Sequence, residues 1–117
     1  MNKRPVLGLT AHISVKGNNN KEEKITARID TGATASSIDT TLAEALNLGP
    51  IIRSKIVKSA SGIKKRPIIK AKININGALI EAEFTLADRS HMTYQILIGQ
   101  NVLKEGNFII DPHKEDN

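Results

Sequence analysis

The chain has 117 residues and a formal net charge of +5, enough for one hydrophobic core and too short for an internally duplicated two-lobed protein, so residues 1–117 read as one domain. The absence of cysteine excludes disulfides and thiolate metal sites, and no apolar run approaches the length needed to cross a bilayer, so no membrane partner is expected. The basic balance could suit nucleic acid, but Phe84, Tyr94 and Phe108 are the only Phe, Tyr or Trp residues, too few for a base-stacking platform, and nucleic acid is not expected.

Met1-Asn2-Lys3-Arg4-Pro5 leads into the mixed segment Val6 to His12, not the apolar stretch of a signal peptide, which points to a cytoplasmic protein. Residues 6–15 read as a first strand, followed by the polar turn Gly17-Asn18-Asn19-Asn20. Ile25, Ala27 and Ile29 then alternate with Thr26, Arg28 and Asp30. This period of two sends Ile29 into the core and leaves Asp30 on the opposite side as the strand ends. After Thr31-Gly32-Ala33-Thr34, residues 35–38 are extended. Asp39 then reads as the N-cap of a helix over 40–48, with Leu42, Ala45 and Leu46 as its buried stripe and Gly49-Pro50 as its stop.

Residues 51–58 form one arm of a hairpin tipped by Ser59-Ala60-Ser61-Gly62-Ile63, and the chain returns from Lys64. Pro67 leads into Ile69, Ala71, Ile73 and Ile75, and Asn76-Gly77 is a type I′ turn signal. A two-residue turn fixes the register: Ile73 faces Ile80, Ala71 faces Ala82 and Ile69 faces Phe84, while Lys72 meets Glu81 and Lys70 meets Glu83 on the other face. Residues 95–98 are an apolar strand, Gly99 opens a short helix ending at Gly106, residues 107–112 are a last strand, and 113–117 a polar tail expected to fray. These elements describe an all-β domain of Greek-key or barrel type with one or two short helices.

The chemistry concentrates in Ile29-Asp30-Thr31-Gly32-Ala33-Thr34-Ala35-Ser36-Ser37-Ile38, a carboxylate delivered at a strand end into small and hydroxylated residues. This motif, the glycine-tipped hairpin about thirty residues on, and Leu97-Ile98-Gly99-Gln100-Asn101 together resemble the retropepsin-like (retroviral-type) aspartic proteases over roughly Ile25 to Ile110. Ala27 to Ala33, Arg66-Pro67-Ile68, Thr85 to Met92 and Phe108 to Pro112 are similar to a bacterial and archaeal group that carries the label ATP-dependent zinc protease and is sometimes associated with ATP-grasp glutamate ligases.

The resemblance implies a closed barrel of the acid protease fold, one lobe per chain. It implies peptide hydrolysis with Asp30, Thr31 and Gly32 at the catalytic centre. Ala33, Ser61, Gly62 and Ile63 would meet the substrate, with Ile98 and Gly99 as structural support behind the loop. Such chemistry needs two carboxylates and the chain has one Asp-Thr-Gly, so a homodimer is implied, with Thr31 reaching across the interface. The hairpin 58–65 would be a flap over an extended peptide, a role that rests on its position relative to Asp30, since a glycine at a hairpin tip is usually only a turn residue. Lys58, Lys64, Lys65 and Arg66 would then ring the cleft, which suggests an acidic or glutamate-rich peptide.

No cofactor or metal is expected: His12, His91 and His113 are far apart in sequence, and neither a His-Glu-x-x-His helix nor a phosphate loop is present. Where many viral members carry further acids after the motif and a partner Arg, this chain has Thr34, Ala35 and Gln100, so viral dimer contacts do not transfer. Two rival readings are a catalytically silent peptide-binding or assembly domain of the same fold, and a basic nucleic-acid-binding β module.

Overall fold

The computed structural model describes residues 3–115. In chain order the elements are β1 (Val6–Leu7), β2 (Thr10–Lys16), β3 (Glu22–Ile29), β4 (Ser36–Asp39), α1 (Thr40–Ala45), β5 (Ile51–Ser59), β6 (Gly62–Ile75), β7 (Ala78–Ala87), β8 (Ile96–Ile98), α2 (Gln100–Glu105) and β9 (Ile109–Ile110). Strands β2, β3, β8, β4, β7 and β6 pair in that order, and β6 pairs back onto β2, so six strands close a barrel. Its interior is packed with side chains, Phe84, Ile38, Ile69, Ile73, Ile75, Ile96 and Ile98 being fully buried. Among the described residues no helix is long and apolar enough to cross a membrane.

The hairpin register follows from its turn. Asn76 and Gly77 take φ of 52° and 82°, as a type I′ turn demands, and the pairs Ile73↔Ile80, Ala71↔Ala82, Ile69↔Phe84, Lys72↔Glu81 and Lys70↔Glu83 all form. Strand β6 is long enough to serve two partners along one edge: its end pairs with β2 from Lys72 to Ile75, and its beginning pairs with β5 from Gly62 to Ile69. Pairing with β7 reaches only Ile68, so residues 62–67 and their β5 partners project beyond the barrel as a two-stranded arm.

Three expectations need correction. The first strand divides at Gly8-Leu9: Val6–Leu7 runs parallel to Ile109–Ile110 in a separate small sheet, while Thr10–Lys16 joins the barrel. The cause is a crossing with the C-terminal segment so close that a β-carbon on Gly8 would lie 2.3 Å from the Lys114 carbonyl oxygen. The first helix stops at Ala45 rather than Leu48, because Asn47 turns to φ 53° and the Leu48 amide bonds back to the Ala43 carbonyl at 2.9 Å. Ala43 therefore takes the buried place expected of Ala45, beside Leu42 and Leu46.

The last strand is only Ile109–Ile110, and its tail is held rather than frayed as far as Lys114. Amides of His113 and Lys114 donate to the Asp111 carboxylate and carbonyl, and Lys114 Nζ reaches the Val6 carbonyl at 2.5 Å. Residues 116 and 117, also expected to fray, lie outside the described residues. The cap assignment holds: Asp39 Oδ2 accepts from the Leu42 amide at 3.3 Å, and Oδ1 accepts from the Arg89 amide at 2.8 Å. Asp39 is therefore a buried structural acid, leaving Asp30 as the carboxylate of this region at a partly open position.

Candidate active site

Parallel pairing of β3 with β8 brings the end of one strand to the end of the other, with Ile29 beside Ile98. The ladder runs one residue further, since the Asp30 amide donates to the Ile98 carbonyl at 2.9 Å. Beyond it the chain turns sharply, and the Gly32 amide donates to Asp30 Oδ1 at 2.9 Å. A β-carbon on Gly32 would sit 3.3 Å from that same oxygen, tighter than ordinary packing, so the glycine keeps the carboxylate uncrowded. Oδ2 accepts no hydrogen bond among the described residues, and Thr31 and Gly32 are exposed.

Support comes from the start of α2. A β-carbon on Gly99 would fall 2.2 Å from the Ala35 carbonyl oxygen and 2.8 Å from that of Ala33, so the Asp30 loop lies directly on this backbone. Gln100 donates its amide to the Ala33 carbonyl and its Nε2 to the Thr31 carbonyl, both at 2.8 Å. The Gly99 amide donates to Ser36 Oγ at 2.9 Å, Ser36 Oγ to Asn101 Oδ1 at 2.7 Å, and Asn101 Nδ2 to the Glu83 carbonyl at 2.9 Å. The barrel thus gathers Asp30, Thr31, Gly32, Ala33, Ile98 and Gly99 into one group braced from β4, β7 and α2.

Next to this group lies a cleft of about 420 Å³ bordered by Thr34 and Ala35 on one side and by Arg53, Ser54, Lys55 and Ile68 at the base of the projecting arm on the other. Ser61, Gly62 and Ile63 stand at the tip of the arm, so the base of the arm, and not its tip, lines the cleft. Gly62 takes φ of 122°, and a β-carbon there would meet nothing within 4 Å, so the turn and not close packing calls for glycine. Ile56 and Ile63 on the arm are 65% and 71% exposed. A separate hollow of about 510 Å³ beside His12, Lys24, Thr26 and Asn74 shares no residue with the Asp30 group.

The floor of the cleft carries an ion pair. Arg53 reaches across β6 to Glu83 with both terminal nitrogens, Nη1 donating to Oε2 at 2.9 Å and Nη2 to Oε1. The facing Lys70 makes no such bond and only adds to the field. The guanidinium holds the Glu83 carboxyl below its ordinary value, so the pair supports the fold at neutral pH and is lost as pH falls through that lowered value. Both side chains are well exposed, so solvent screening keeps the contribution small.

Sequence reasoning did not single out Ser36, Arg53, Glu83, Gln100 or Asn101 as site residues. The Gly99-Gln100-Asn101 run was the available signal for two of them, since a glycine tight enough to admit a loop places its neighbours against that loop.

The family described as the retropepsin-like aspartic endopeptidase RimB matches residues 41–116, well over half of the chain. The chain belongs to the RimB-like family. The matched span holds the projecting arm and the β8–α2 junction, and begins beyond Asp30, so the Asp30 group is known here from its geometry. No curated protein matches the chain.

Solved structures of the same fold include a Legionella pneumophila protein of unknown function, 17% identical, covering 97% of this chain and 98% of that one with a TM-score of 0.69. The EIAV protease complexed with the inhibitor HBY-793 is 19% identical over 95% of each chain, with a TM-score of 0.65. The Simian Foamy Virus (mac) protease is 21% identical, covering 81% of this chain and 91% of that one, with a TM-score of 0.62. The RimB-like barrel is thus the retropepsin-like barrel, as expected from the sequence.

Proposed function

We propose that the chain is a homodimeric aspartic endopeptidase whose single active site is shared by two copies of Asp30. The observation that carries this reading is a carboxylate with one oxygen held by the Gly32 amide, set in an exposed loop of small residues that a second copy could approach. Two carboxylates in contact cannot both be ionised cheaply, so the pair holds one proton. The ionised member takes a proton from a bound water, whose oxygen attacks the peptide carbonyl carbon. The protonated member donates to the developing oxyanion, and collapse of the tetrahedral intermediate expels the amine with a proton from the pair.

In this reading Thr31 bonds across the interface and Ala33 stays small beside the substrate backbone. The projecting arm, tipped by Ser61, Gly62 and Ile63, closes as a flap over a peptide that pairs with it as an added strand. A catalytically silent peptide-binding domain is the second reading, favoured by a family match that starts beyond Asp30. Asp30→Asn in a pure preparation separates the two, because only the first reading has an activity to lose.

The substrate we propose is an acidic or glutamate-rich peptide. Lys55, Lys58, Lys64, Lys65 and Arg66 crowd the arm, and none of them takes part in an ion pair among the described residues. The double variant Lys64→Glu, Lys65→Glu is expected to lower kcat/KM on a glutamate-rich peptide about tenfold while sparing a neutral peptide, with the difference shrinking at high salt. Equal losses on both peptides would remove charge as the basis of selection.

A further inference from the structure

The loop bearing Asp30 contains a peptide group whose two ends are held by different partners. Its N–H, that of Gly32, donates to Asp30 Oδ1 at 2.9 Å. Its carbonyl, that of Thr31, accepts from Gln100 Nε2 at 2.8 Å. A trans peptide is planar with its N–H and C=O pointing in opposite directions, so fixing the carbonyl fixes where the N–H points. Glycine on the C-terminal side makes rotation of that plane cheap unless something holds it. The Thr31 oxygen can only accept, which requires the amide nitrogen of Gln100 to face it.

We propose that the Gln100 side chain is a positioning residue that locks the Thr31–Gly32 peptide plane and thereby keeps the Gly32 N–H on the Asp30 carboxylate. Its backbone amide, the first free N–H of α2, holds the Ala33 carbonyl at 2.8 Å and anchors the far side of the turn. The catalytic consequence rests on the peptidase reading, whereas the orientation of the plane does not.

Two variants separate the clamp from simple stability. Gln100→Glu keeps the length of the side chain and suits the start of a helix, but at neutral pH has no proton to donate to the Thr31 carbonyl. Gln100→Leu removes the amide altogether. In both, at neutral pH, the Gly32 amide proton followed by NMR is expected to move upfield and exchange faster, with the amide of Ile98 in the adjacent strand unaffected.

On a cleaved peptide, Gln100→Leu is expected to lose roughly ten- to a hundredfold in kcat with KM within about twofold of the parent. A Gly32 amide unchanged in both variants overturns the proposal whatever the kinetics. A parent protein that cuts nothing overturns the peptidase reading alone, and the amide measurement still decides the role of Gln100.

Discussion

Asp30→Asn is expected to lower kcat/KM for peptide cleavage by at least about a thousandfold, equivalent to roughly 4 kcal/mol of lost transition-state stabilisation. A carboxamide can neither take a proton from water nor share one with its counterpart, so both the base and the acid disappear. The fold should be indifferent to the change. The amide oxygen of Asn still accepts from the Gly32 N–H that now bonds Oδ1 at 2.9 Å, and among the described residues no charged partner of Asp30 is left stranded. Steady-state kinetics beside a thermal unfolding curve separates these effects: activity lost with an unchanged midpoint is the expected pair. Cleavage that survives in a pure preparation would remove Asp30 from the mechanism.

Gly99→Ala should damage stability and activity together. Gly99 sits at φ −102° and ψ −170°, an extended conformation open to any residue, so the demand for glycine is one of space. The added carbon would lie 2.2 Å from the Ala35 oxygen, 2.7 Å from its carbonyl carbon and 2.8 Å from the Ala33 oxygen, all of them backbone atoms. No flexible side chain can yield there. Either the 33–35 segment or the β8–α2 junction must move, and that movement breaks the bonds from Gln100 to Ala33 and from Gly99 to Ser36. Overpacking of this kind costs about 2–3 kcal/mol, and the shifted loop carries Asp30 with it. Urea unfolding should show the loss of stability, and kcat should fall further than the unfolded fraction explains. A variant with parental stability and activity would show that the loop does not rest on Gly99.

What the sequence made legible was local or periodic. Asn76-Gly77 has one favoured turn, and that turn dictated every pair from Ile75↔Ala78 outward. Asp39 before a helix of favourable pattern announced its own cap. The alternation ending in Ile29 placed Asp30 at a strand end before any strand partner was known.

What was not legible depends on chain segments far apart in sequence. The break at Gly8-Leu9 exists because residue 114 crosses there, and a period-two pattern cannot show which sheet each half joins. Lys70 faces Glu83 as the turn requires, yet Arg53 binds it, since β5 lies beyond β6 and its guanidinium spans the intervening strand. Gln100 and Asn101 had only the neighbouring Gly99 as a signal and Ser36 had none, because these braces form only once α2 is laid against the loop.

The two-chain site is tested most directly by mixing parent subunits with inactive Asp30→Asn subunits at constant total concentration, allowing exchange, and following the cleavage rate. If one active site needs a carboxylate from each of two chains, the rate falls with the square of the parent fraction, and an equal mixture retains about a quarter of the parent rate. A rate that falls in simple proportion to the parent fraction would mean that each chain cuts alone, and would contradict the shared site.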